Sequence, residues 1–184
     1  MIKFFLSCSL LLMSIAGRTQ DVPVDRSPLD VIYYPVNYPV LKIQDKLTEP
    51  LLARLLYSRP QKAGRVVFGD LIEYGKVWRL GANEATELEL FQPVTINKQR
   101  LKKGRYTLYA IPSETAWTII FNRETDTWGS FRYNAEKDVL RVELPVQTEE
   151  NVSEYFSAWF EKNGKGIVLK MKWDKSAVSL PISL

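Results

Sequence analysis

The chain has 184 residues, no histidine, one cysteine and a formal net charge of +4. Histidine is the usual general base near neutral pH and, with cysteine, the usual ligand of zinc, copper and iron, so this composition argues against catalytic triads, zinc hydrolases and haem proteins. The excess charge is small and its Lys and Arg are scattered, which points away from nucleic acid and from an anionic membrane surface.

Residues 1–20 read as a signal peptide. Lys3 gives a positive start, residues 4–15 form an apolar core too short for a stable membrane span, and Ser14-Ile15-Ala16 offers a small-x-small cleavage pattern before Gly17. Cleavage near Gln20 is the alternative. Phe5-Leu6-Ser7 before Cys8 is a poor lipobox, so soluble export to the periplasm or the exterior is expected. Loss of the leader removes Cys8, leaving neither disulfide nor thiol nucleophile, and removes two positives with Lys3 and Arg18. Stability then rests on core packing.

Residues 21–50 are rich in proline and tyrosine. Pro23, Pro28, Pro35, Pro39 and Pro50 disfavour helix and central strand, and Tyr33, Tyr34 and Tyr38 lie among them. This predicts an extended arm that packs its tyrosines on the domain. From residue 51 to 184, short apolar runs alternate with turn signals. Residues 51–57, 87–90, 94–96, 106–111, 117–121, 140–144, 152–160 and 167–173 are strand candidates; Ile167, Leu169, Met171 and Trp173 share one face, with Lys170 and Lys172 on the other. Turns are expected at residues 97–99, 112–114, 134–137, 163–164 and 174–176, and one helical turn at 69–74. Roughly nine short strands in one domain predict an all-β fold, an antiparallel β-sandwich or jelly roll, with at most short helical turns.

Tyr57-Ser58-Arg59-Pro60, Gly64-Arg65 and Phe68-Gly69 precede Tyr74-Gly75-Lys76-Val77-Trp78-Arg79 and Gly81-Ala82-Asn83-Glu84-Ala85-Thr86. Downstream come Gly104-x-Tyr106-x-Leu108, Ile111-Pro112, Trp117-Thr118, Phe121-Asn122, Trp128-Gly129, Tyr133 and residues 138–142. This set resembles the exported, Bacteroidetes-type family catalogued as domain of unknown function 2911. The likeness runs from about residue 57 to the C-terminus. Leu80 replaces the small polar residue usual there, and Asn97-Lys98-Gln99 replaces an Asn-Gly turn. The resemblance implies a secreted β-sandwich and carries no activity with it.

Three polar or aromatic groups are candidate sites. In residues 78–86, Arg79 can clamp a carboxylate or phosphate, Asn83 and Thr86 can hydrogen-bond a ligand, and Glu84 is the one weak candidate for a catalytic acid or base. The competing and favoured reading is an internal Arg79–Glu84 ion pair, which requires a chain reversal at Gly81. Tyr57, Arg59 and Arg65, with Lys62, form a second group, either an anion site or a solvated loop whose arginines pair with Asp70 or Glu73. Trp117, Trp128, Phe131 and Tyr133, near Asn122, Arg123 and Asp126, form a third; Trp117 is assigned to the core and Trp128 to a stacking surface for a ligand. A binding module for a glycan, peptide or small anionic ligand is the leading expectation. The alternatives are a carbohydrate-active enzyme built on Glu84 with Arg79, and a purely structural envelope protein. No cofactor and no metal site are expected, since neither His, Cys nor a spaced calcium-loop Asp run remains in the mature chain.

Overall fold

The computed structural model describes residues 22–184. The leader, with Cys8, lies outside them. The fold is all-β. Six strands form one antiparallel sheet in the order β1-β2-β3-β6-β7-β8: β1 Leu29–Tyr34, β2 Ala53–Ser58, β3 Thr86–Leu90, β6 Gly104–Pro112, β7 Ala116–Asn122 and β8 Asp138–Pro145. A long hairpin of β9 Gln147–Asn163 and β10 Gly166–Ile182 packs over one face of that sheet. A short hairpin, β4 Val94–Ile96 with β5 Gln99–Leu101, is tied to the C-terminus by paired Thr95–Ser183 backbone bonds of 2.8 and 2.9 Å.

Period-two patterning explains the two layers. Strand β7 turns Trp117, Ile119 and Phe121 inward, β8 turns in Leu140, Val142 and Leu144, and β6 turns in Tyr106, Leu108 and Ala110. Phe156, Ala158 and Phe160 of β9 and Leu169, Met171 and Trp173 of β10 close on them. Trp78 sits at the centre of an aromatic cluster, with ring centroids 5.6 Å from Trp117, 5.3 Å from Phe156 and 6.0 Å from Trp173. Each such ring contributes about 1.5–3 kcal/mol of burial, enough for a sandwich that has no disulfide.

The outer face of the sheet is covered in one place. There Ala85, Tyr109 and Ile120 form a small second cluster, and residues 123–137 cross over it through Tyr133, whose ring centroid is 5.1 Å from that of Tyr109. This loop bonds the segment before β3 through Thr127, Gly129 and Ser130, and it leads directly into β8.

Three local expectations change. Residues 29–34 of the proline-rich arm form edge strand β1, paired with β2 from Leu29–Ser58 to Tyr34–Ala53. Pro28 and Pro35 flank that strand and do not interrupt it, so the missing N–H groups cost no ladder bond. A six-residue helix, α1 Tyr38–Ile43, follows with Pro39 in its first turn. Residues 69–74 are not a helical turn: Gly69 N–H bonds Ile72 O at 2.9 Å, and Phe68 and Ile72 form an isolated bridge. Asp174 does not end a strand either. It is a bulge within β10, at φ 53°, where the register against β9 shifts. The Asn97-Lys98 turn does close a hairpin, with both residues at positive φ, as a two-residue primed turn demands.

Candidate functional site

The segment before β3 runs alongside the end of β6. Gly75 N–H bonds Pro112 O at 2.8 Å, and Trp78 and Ala110 exchange backbone bonds of 2.7 and 2.8 Å. The chain then folds back on itself. Trp78 Nε1 donates to Gly81 O at 3.0 Å, Thr86 Oγ1 donates to Leu80 O at 2.6 Å, and Thr86 N–H donates to Arg79 O at 3.1 Å. A Cβ on Gly81 would stand 3.2 Å from Ser58 O, so only glycine lets this turn press against the end of β2 without displacing it. Trp78, Gly81 and Thr86 thus close the turn, and Thr86, fully buried, has its hydroxyl donor engaged there.

After the turn, residues 83–85 pair with the loop at 127–129. Ala85 N–H bonds Thr127 O at 3.0 Å, Gly129 N–H bonds Asn83 O at 2.9 Å, and Glu84 and Trp128 form an antiparallel bridge. Ser130 Oγ adds a 3.0 Å bond to Val77 O. These contacts separate the candidates of the first group. Asn83 lines a half-open cleft of about 460 Å³ together with Arg79. Glu84, its neighbour in sequence, stands beside Trp128 and is not part of the cleft wall.

The cleft has an apolar floor of Ile72, Trp78 and Trp173, and a polar rim on which Arg65, Lys76 and Arg79 outnumber Glu73 among the described residues, while Asp25 accepts from the rim amide of Asn83 at 3.1 Å. Arg79 is the exceptional member. Its Nε is buried and has no hydrogen-bond partner. Among the described residues neither Arg79 nor Glu84 makes an ion pair. Desolvation lowers the Arg79 pKa from its ordinary value, the sign expected when no anion compensates burial of the guanidinium. The expected reversal at Gly81 therefore exists, but the Arg79–Glu84 ion pair does not. The turn is closed by Trp78 and Thr86, and strand alternation sends Glu84 away.

The other candidates are engaged within the fold. Tyr57 is buried against Phe156, and its hydroxyl meets the backbone of Ala158 (3.2 Å from N, 3.3 Å from O) and Asp30 (3.3 Å); burial raises its pKa. Arg59 reaches Asp30 and Ser157, at 3.3 and 3.2 Å, and Lys62 pairs with Asp174, so the second group pairs with β1 and the hairpin and not with Asp70 or Glu73. Arg65 bonds the carbonyls of Lys62, at 2.9 Å, and Gln61 while lining the cleft. Asn122 is buried and saturated: it donates to Asp138 Oδ1 (2.7 Å) and Asn134 O (2.9 Å) and accepts from Glu124 N–H (2.9 Å). Tyr133 OH donates to Asp138 Oδ2 at 2.6 Å and receives Arg141 Nη2 at 2.6 Å. Burial, then the Asp138 carboxylate, pushes the Tyr133 pKa up to about 12. Trp117 is fully buried, as assigned, whereas Trp128 is 62 % exposed.

Sequence reasoning passed over Lys76 and Ser130 as site residues. Lys76 stands inside the 74–79 string and was available to notice. Ser130 reaches the cleft only because residues 83–85 pair with the loop, a contact that no local pattern announces.

Among the described residues, no group of three or more metal-ligating side chains is gathered in one place, and no helix is long and apolar enough to cross a membrane. Fold and cleft together define an all-β sandwich with one small, cation-rimmed concavity beside the turn at Gly81. The family model described as "Protein of unknown function (DUF2911)" matches residues 42–182, and the chain belongs to that family. No curated protein and no solved structure matches it.

Proposed function

We propose that the protein is an exported binding module that takes a small organic carboxylate in the Arg79 cleft. The observation that carries this is the guanidinium itself, held partly out of water, with no partner for its Nε and no acid paired with it among the described residues. Partial burial of a guanidinium without an acid partner carries a desolvation cost, and a bound carboxylate offsets it with a charge-assisted, two-pronged hydrogen bond. Arg65 and Lys76 on the rim add attraction for the same sign; Asn83 Nδ2 donates to Asp25 and Ser130 Oγ to Val77 O, so their oxygens are what remains to accept from the rest of the ligand. The apolar floor sets a size limit near that of a small metabolite. A carboxylate enzyme based on Glu84 fits less well, because Glu84 and Arg79 do not share the concavity.

The test is a thermal-shift and calorimetric titration of the mature chain with succinate, citrate, benzoate and inorganic phosphate. At least one carboxylate should raise the melting temperature of the wild type. Arg79→Met should abolish that shift, and Glu84→Gln should keep it. A carboxylate response that survives Arg79→Met, or no response to any of the carboxylates, rules the reading out.

A further inference from the structure

We propose that Trp128 and Phe131, with Glu84 beside Trp128, form a stacking platform for an oligosaccharide of equatorially substituted pyranoses, a site that adjoins the Arg79 cleft across Gly129 without sharing its lining. Trp128 is 62 % and Phe131 82 % exposed, three residues apart on the loop that crosses the outer face of the sheet. The loop is anchored at several points. Thr127 Oγ1 lies 3.1 Å from Tyr109 OH, Thr127 O and Gly129 N–H pair with residues 85 and 83, and Ser130 holds Val77 O. The Phe131 ring lies directly on Gly129: a Cβ there would stand 2.7 Å from Cε2 of the ring. The two rings are therefore presented to solvent by a held backbone and lose little freedom on binding.

The surroundings select the ligand class. Partners in an antiparallel bridge project to the same side with Cβ atoms about 4.5–5.5 Å apart, so Glu84 stands beside Trp128, and its carboxylate forms no ion pair among the described residues. A shallow hollow of about 390 Å³ joins the two rings to Arg132 and residues 124–127. The axial C–H face of an all-equatorial pyranose packs on an indole or phenyl face, while its hydroxyls donate to a carboxylate and accept from a guanidinium. Both halves of that chemistry are present. A protein partner of the usual kind needs a wider apolar centre than two rings ringed by charge. A membrane surface needs a cationic surround, and here acids and bases are interspersed: Asp126 pairs with Arg105, Glu124 with Lys137, and Glu84 stands beside Trp128.

The experiment titrates the mature chain with cellohexaose, xylohexaose and chitohexaose, followed by tryptophan fluorescence and two-dimensional NMR. Affinity for at least one of them should fall in the range of about 0.01–1 mM. Trp128→Ala should weaken it at least about tenfold and Phe131→Ala less, since the indole offers the larger face. Both variants should keep the wild-type melting temperature, because both side chains are exposed. Glu84→Gln should weaken binding without moving the Trp128 stacking signal. Failure of all three sugars, or equal binding by Trp128→Ala, overturns the proposal. So does a Trp128-dependent dimer in sedimentation, or Trp128-dependent binding to phosphatidylglycerol vesicles, in place of sugar binding.

Discussion

The loop at residues 123–137 borders two polar regions built from similar side chains. At its C-terminal end, Asn122, Tyr133, Asp138 and Arg141 form a closed network: Asp138 accepts from Asn122, Tyr133 and both Nε and Nη2 of Arg141. At its middle, Ser130 and Asn83 share a cleft with Arg79, whose Nε finds no partner. In the first region the Asn122 amide, the Tyr133 hydroxyl and two nitrogens of Arg141 all meet acceptors within the fold. In the second a charge is left for something else to satisfy. Residue type does not separate a structural network from a binding site, and neither does one orphaned atom, since Arg59 Nε is also buried without a partner while its guanidinium pairs with Asp30; the mark of the site is a charge with no acid partner facing a cavity.

Removal of the scaffold beneath both regions should have the largest effect. Trp78 is the floor of the cleft and the hub of the aromatic cluster, and its Nε1 fixes the Gly81 turn. Trp78→Ala should cost about 3–5 kcal/mol in urea unfolding. A loss under about 1 kcal/mol would show that the cluster repacks and that the turn is not held from below.

The closed network should come next. Asp138 is mostly buried and organises three neighbours, so Asp138→Ala leaves one of the two Asn122 amide hydrogens and the Tyr133 hydroxyl without an acceptor. A stability loss of about 2–3 kcal/mol is expected. Chemical denaturation with an unchanged m-value is the check.

Tyr133 gives that network a pH signature. Its folded pKa, about 12, lies above its ordinary value of 10.0. The folded state therefore holds the phenolic proton more tightly than the unfolded chain does. The resulting stability is complete below pH 10 and is lost as pH rises towards 12. Partial exposure reduces the contribution to about 1–2 kcal/mol. Burial raises the pKa of other tyrosines too, Tyr57 and Tyr109 among them, so the informative quantity is the wild-type slope minus that of Tyr133→Phe. Equal slopes would mean that the phenol is not held neutral by Asp138.

Much of the sandwich was legible in the sequence. The alternation over residues 140–144 and 167–173 specifies which side chains face the core, and that pattern is local. What was not legible depends on distant pairing. The proline-rich arm reads as an extended segment, and only β2 makes residues 29–34 of it a paired strand. Asp174 reads as a turn, because a bulge and a turn use the same positive φ. Glu84 and Arg79 looked like a pair because both are charged and close in sequence. Their separation follows from the bridge to Trp128, far along the chain. In the same way Thr86, Asn122 and Tyr57 carried the right chemistry for a site, and their partners, Leu80 O, Asp138 and the Ala158 backbone, could be named only from the fold.

The smallest expected effect is the most decisive for the comparison. Arg79→Met keeps most of the aliphatic stem and removes the guanidinium. Were Arg79 half of an internal ion pair, the change would strand a carboxylate and cost about 3–5 kcal/mol. No carboxylate pairs with it among the described residues, and its Nε is already unsatisfied. The substitution then removes a desolvated charge and leaves no partner behind, so stability should move by less than about 1 kcal/mol, and a gain is as acceptable as a loss. Arg141→Met provides the contrast on the other side of the loop. It deprives Asp138 and Tyr133 of a shared donor and should destabilise by more than Arg79→Met does, although its partly exposed side chain limits the difference to about 1 kcal/mol. If Arg79→Met proves the more damaging of the two in denaturant titration, the cleft arginine is part of the architecture, and the division between a closed network and an open site fails.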